Sequence, residues 1–163
     1  MGDSKKMTEL CFSEKYGMFR NTVFSVIFNY LKNTDDASDI MQEVFIRLYQ
    51  TDTEFQSDEH MKAWLIRVAV NLSKNFLRDN KHRQPELLTE DIPYFDNDGD
   101  NDLLQMVLAL PEKYRVPIHL HYYEGYQVSE IAQILQLPVS TVKVQLMRGR
   151  EMLRGSLEME ASV

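Results

Sequence analysis

Val128-Ser-Glu-Ile-Ala-Gln-Ile-Leu-Gln-Leu-Pro-Val-Ser-Thr-Val-Lys143 reads as two short helices joined by a break at Gln136-Leu137-Pro138. Ile131, Leu135, Leu137 and Val142 fall where two crossing helices share a small core, and Ala132 is small where the second helix passes close. Ser140 and Thr141 open the second helix, where hydroxyls and free backbone N–H groups can hold a DNA phosphate. Lys143, Gln145, Arg148, Arg150 and Arg154 follow. Over residues 139–154 four basic side chains meet one acid, Glu151. A locally basic second helix is what entry into a major groove requires. A helical hairpin with a solvated charged face is the plain alternative. Two residues fit the motif poorly: Gln136 stands at a turn position where glycine is frequent, and Gly149 inside the helix costs about 1 kcal/mol relative to alanine.

Upstream of the motif, helical spacing appears at Leu103, Leu104, Val107, Leu108 and Leu110. Pro111 opens the next helix as a first-turn proline can, Gly125 ends it, and Pro117 within it predicts a kink or a late start. In the other half, Leu10, Phe12, Tyr16, Phe19, Val23, Phe24, Ile27, Tyr30 and Leu31 recur at steps of three and four. After Asn33 and Thr34, the charges of Asp35, Asp36 and Asp39 favour the first turn of a second helix, with Ala37, Ile40, Met41, Val44, Phe45 and Leu48 as its apolar stripe. Ser57 caps a third, carrying Met61, Trp64, Leu65, Val68, Ala69, Leu72 and Phe76 inside. Three facing stripes make a small bundle. The expected fold is all-α, with two small helical domains over residues 8–83 and 102–158 joined by a flexible tether over 84–101.

Charge locates the tether. The chain of 163 residues has a net charge of -7. Residues 1–83 hold 12 basic and 12 acidic side chains, and residues 112–163 hold 6 of each. The whole excess lies in Glu86, Glu90, Asp91, Asp96, Asp98, Asp100 and Asp102, in a stretch that also carries Pro85, Pro93 and Gly99. Cys11 is the only cysteine, which excludes an intramolecular disulfide and a cysteine-cluster zinc site; it reads as a buried small apolar residue of a cytosolic protein. The N-terminal charges precede no apolar run, and no stretch approaches a transmembrane length, so neither secretion nor membrane insertion is expected. His119, His121 and Glu124 are the only local metal-ligand candidates, but two histidines two residues apart on a helix point to different sides. Neither a cofactor nor an enzymatic activity is expected.

Two further surfaces stand out. From Lys62 to Arg83, six basic residues face Asp79 alone, and Asn71 and Asn75 lie one turn apart. Such a surface suits single-stranded or melted DNA, and equally a merely solvated helix face. Trp64 reads as core rather than as a stacking platform. Asp39, Gln42, Glu43 and Arg47 share the outer face of the second helix, a mostly acidic ridge open to a basic partner.

Three segments in order carry a family likeness: Asp36-Ala-Ser-Asp-Ile-Met-Gln-Glu-Val-Phe45, Ala63-Trp-Leu-Ile-Arg-Val-Ala-Val-Asn71, and Leu110-Pro-Glu-Lys-Tyr-Arg115 before the helix-turn-helix. With these the chain resembles the extracytoplasmic-function group of the sigma-seventy family, over about residues 19–157. The resemblance implies a transcription initiation factor that binds core RNA polymerase and directs it to promoters. Asp39, Gln42 and Glu43 would dock on the beta-prime clamp helices, with the beta flap as a further polymerase contact. Lys62, Arg67, Asn71, Lys74, Asn75 and Arg78 would meet the minus-ten element, with Asn75 standing where aspartate is usual. Ser140, Thr141, Lys143, Val144, Met147 and Arg148 would meet the minus-thirty-five element, the two apolar ones against a thymine methyl group. It also implies an anti-sigma factor as partner. The alternative is a dimeric helix-turn-helix regulator, which predicts a palindromic operator.

Overall fold

The computed structural model describes residues 7–81 and 101–161, and side chains for 7–81 and 103–159. It divides into two compact units, one with residues 7–81 and the other with residues 101–161. Among the described residues every regular element is a helix. The acidic tether expected at 84–101 lies, apart from Asn101, outside the described residues.

In the first unit α1 (Glu9–Leu31), α2 (Thr34–Gln50) and α3 (Asp58–Asp79) pack pairwise against one another. Each start is capped by a side chain: Thr8, Asn33 and Ser57 accept the backbone N–H of Cys11, Asp36 and His60. Asp35 and Asp36 occupy the first turn of α2, whereas Asp39 falls one turn later than its expected place. From Val23 to Leu31, α1 is buried all round because α2 and α3 cover it from two sides. Phe24, Ile27 and Phe28 are sealed from solvent. Two polar residues survive this burial by turning back on the helix: Ser25 Oγ donates to the Asn21 carbonyl at 2.7 Å, and Asn29 Nδ2 to that of Ser25 at 2.8 Å. Lys15 Nζ reaches Asp58 Oδ1 at 2.7 Å, tying α1 to the start of α3. That hydrogen bond, the largest of several influences, holds the lysine above its ordinary pKa.

The stripe read for α1 begins too early. Leu10 is 82% exposed, and Cys11 is half-buried rather than buried. Their helical turn precedes the part that α2 and α3 enclose. On α3, Ile66, Val70 and Ser73 join the expected core. Trp64, Val68 and Phe76 are only half-buried.

The second unit holds α4 (Asn101–Leu108), α5 (Glu112–Tyr122), α6 (Val128–Leu135) and α7 (Val139–Ala161). Pro111 is the N-cap of α5, one residue before the turn it was expected to open. The helix then continues through Pro117 to Tyr122, so it does not start late, and it ends before Gly125. Proline at 117 removes the hydrogen bond to the carbonyl of Lys113, and Lys113 is exposed. Gly125, at φ +75°, turns the chain toward α6. Arg115, buried beneath α4, donates to the carbonyls of Leu108 at 3.4 Å and Leu110 at 2.8 Å. A guanidinium there satisfies acceptors that the end of α4 leaves open.

Candidate nucleic-acid interface

Between α6 and α7 the chain turns within three residues because Gln136 takes a left-handed conformation, φ 55°. Its N–H bonds to the Gln133 carbonyl at 3.3 Å, and that of Leu137 to Ala132 at 3.0 Å. Glutamine thus fills the place where glycine is frequent. A capping box joins Gln127 and Glu130 at the start of α6. Ile131, Ala132, Leu135 and Val142 are buried as read, and Leu137 is half-buried. The expected cost of Gly149 has a cause outside its own helix. A Cβ at this position would stand 2.9 Å from Ile118 Cγ1 and 3.5 Å from Tyr114 Cβ, so α5 crosses α7 where the side chain is missing.

With Val142, Leu146 and Gly149 turned inward, the opposite side of α7 is fixed. Ser140, Lys143, Val144, Met147 and Arg148 are exposed there, and Thr141 is half-buried at the edge. Val144 is 41% and Met147 47% exposed, apolar side chains held in water at the middle of this face. Glu151 is exposed in line with them, an acid that charge counting alone placed nowhere in particular. Arg150 turns aside and donates to the Tyr122 hydroxyl at 3.1 Å.

On α3, Arg67, Asn71, Lys74 and Arg78 follow steps of four, three and four and are all exposed, which sets them in one stripe. Asn75 is exposed beside it. Lys62 is not brought to this stripe. At about 100° per residue it lies roughly 140° round the helix from Arg67, half-buried and engaged by other groups. An aromatic group that sequence reading missed flanks the start of α3. The Phe55 ring stands edge-on to Trp64 at 5.4 Å and to His60 at 5.3 Å. Gln56 N–H donates to His60 Nδ1 at 3.2 Å, which ties the preceding loop to the helix.

On α2, Asp39, Gln42 and Glu43 are exposed on one face, with Arg47 bound to Glu43 at 3.1 Å. Ile46, 54% exposed, projects from the middle of this acidic ridge. Its place one turn from both Gln42 and Glu43 was the available signal. His119 and His121 have separate neighbours. His119 is buried against Tyr123, with Nε2 3.4 Å from Glu124 Oε1 but without hydrogen-bond geometry. His121 Nδ1 contacts the Tyr126 carbonyl at 2.7 Å. Among the described residues no three candidate ligands converge, and no helix is long and apolar enough to cross a membrane.

Known proteins match both units. Residues 16–83 match the family Sigma-70 region 2, and residues 100–153 match Sigma-70, region 4. The ECF RNA polymerase sigma factor SigW of Bacillus subtilis is 32% identical, covering 94% of this chain and 92% of its own. The ECF RNA polymerase sigma-E factor of Haemophilus influenzae is 30% identical over 86% of this chain and 84% of its own. Among solved structures, the sigma factor RpoE in complex with the anti-sigma factor NepR from Bartonella quintana shares the fold, with a TM-score of 0.72 and 20% identity. That likeness covers 90% of this chain and 96% of the other. A dimeric helix-turn-helix regulator is not favoured by matches that span both units in this order. The chain belongs to the sigma-70 family of RNA polymerase sigma factors, in its extracytoplasmic-function group.

Proposed function

We propose that this sigma factor divides its work among three surfaces. The acidic ridge of α2, with Asp39, Gln42 and Glu43, docks on the beta-prime clamp helices of core polymerase. The α3 stripe of Arg67, Asn71, Lys74 and Arg78, with Asn75 beside it, receives the minus-ten element. The outer face of α7, with Ser140, Thr141, Lys143, Val144, Met147 and Arg148, enters the major groove at the minus-thirty-five element. Lys62 is left outside the minus-ten set. The carrying observation is the sorting of exposed charge: two basic helical faces, one in each unit, and an acidic face that shares no residue with either. Ile46 within the acidic ridge supplies an apolar centre of the kind that anchors protein interfaces.

The domain limits follow the same reading, 8–83 for region two and 102–158 for region four, with 84–101 between them. The Phe55–Trp64 pair at the edge of the α3 stripe supports capture of unpaired bases, since aromatic faces accept any base. The factor makes and breaks no bond, and it works in the cytoplasm with the polymerase. Solved relatives in complex with anti-sigma factors support an anti-sigma partner for this chain as well. Polymerase contributes most of the DNA affinity, because each sigma face neutralises few phosphates.

The division of labour is tested by pairing two variants. Asp39→Lys with Glu43→Lys is expected to weaken capture of the chain by core polymerase roughly tenfold, because the ridge then repels a basic partner. Arg148→Ala should keep that capture and lower transcription roughly tenfold from promoters that depend on the minus-thirty-five element. A chain whose polymerase capture survives the double reversal, or fails with Arg148→Ala, does not divide its surfaces in this way.

A further inference from the structure

At the edge of the α7 face, two cations and a phenol meet across the α5–α7 crossing. Because Gly149 has no side chain, α5 approaches closely enough for the Tyr114 Cβ to lie 3.5 Å from where the missing Cβ would be. Tyr114 thereby lies against the turn of α7 that carries Arg148. Lys113 Nζ lies 5.0 Å from the centre of the Tyr114 ring. Lys113 and Arg148 are both exposed. Among the described residues neither is paired with a carboxylate.

The geometry points to a backbone-phosphate clamp made of Lys113, Tyr114 and Arg148, which extends the DNA surface from α7 onto the first turn of α5. Two cations that converge without an acid repel each other, and a phosphate between them removes that repulsion. A phosphate oxygen at this point would accept from the Arg148 guanidinium, the Lys113 ammonium and the Tyr114 hydroxyl together. Arg148 and Lys113 at the hydroxyl hold the phenol below its ordinary pKa, as expected where positive charge is concentrated. Tyr114 and Lys113 are direct contacts that act together with Arg148. Such a contact fixes register on the duplex without reading a base. The inference rests on the assignment of α7 to the minus-thirty-five element.

The test uses holoenzyme, core polymerase with the full chain, on a promoter that it selects from a random library. Single phosphates flanking the minus-thirty-five element are replaced in turn by neutral methylphosphonates. For the unaltered chain, one position is expected to lower affinity severalfold. With Lys113→Ala the same replacement should have little further effect, and the slope of log affinity against log salt should fall by about 1. Tyr114→Phe, which removes one oxygen at a half-buried site, should weaken binding in the Arg148 background and have no effect in Arg148→Ala. Unchanged salt dependence for Lys113→Ala, together with loss of binding for Arg148→Ala, overturns the clamp and leaves the reading of α7 intact. If Lys143→Ala and Arg148→Ala are both without effect, the reading of α7 itself fails and the clamp with it.

Discussion

Gly149→Val is expected to destabilise the second unit by about 3 kcal/mol, at the upper end of what overpacking a tight contact costs. The nearest obstacle, Ile118 Cγ1 at 2.9 Å, belongs to the inner part of a side chain that is itself 1% exposed, so it has little room to withdraw. Gly149→Ala meets the same atom but gains about 1 kcal/mol of helix propensity, so its loss should be smaller. The two units form separate cores, and Trp64, the only tryptophan, lies in the first. Denaturation followed by tryptophan fluorescence should therefore keep its midpoint in Gly149→Val, while part of the far-UV circular dichroism is lost at lower denaturant. Coincident, unshifted transitions by both probes would show that α5 and α7 are not so closely packed at this point.

A second large effect is expected when the α3 stripe is emptied. Arg67→Ala, Lys74→Ala and Arg78→Ala together should lower open-complex formation roughly a hundredfold at moderate salt, with each exposed charged contact worth on the order of 1 kcal/mol. Arg78 also lies 3.2 Å from Asp79, but both side chains are about two-thirds exposed, so that pair holds the arginine only weakly. The salt slope should fall by about 2 if these residues meet a single strand and by nearer 3 if they meet duplex. Permanganate reactivity of unpaired thymines measures the opening. A template with a pre-melted minus-ten bubble should recover part of the loss, because the strands need no longer be separated. Undiminished opening on ordinary duplex would remove the stripe from the minus-ten interface.

The elements were legible where a local rule governs them. Ser57 as the cap of α3 and the Ile131, Leu135 and Val142 core of the helix-turn-helix follow from spacing alone. Burial on the far side of a helix was not legible, because periodicity reports one stripe. Val26 and Phe28 on α1, and Ile66 and Val70 on α3, are buried by neighbours distant in sequence. Gly149 looked like a weakness while its own helix was the only context, and Ile118 thirty-one residues earlier explains it. Likewise, basic residues could be counted between 62 and 83, but only helix phase shows that Lys62 stands apart from Arg67, Lys74 and Arg78. The Lys113–Tyr114–Arg148 group has no sequence signal, because Arg148 is brought toward the other two only by the crossing of α5 and α7.

The most direct measurement is selection of promoters from a randomised DNA library by this chain with and without core RNA polymerase, read by sequencing. Two unlike blocks of enriched sequence at a fixed separation, appearing only when polymerase is present, are the predicted result. A single palindromic site enriched by the chain alone would contradict the account.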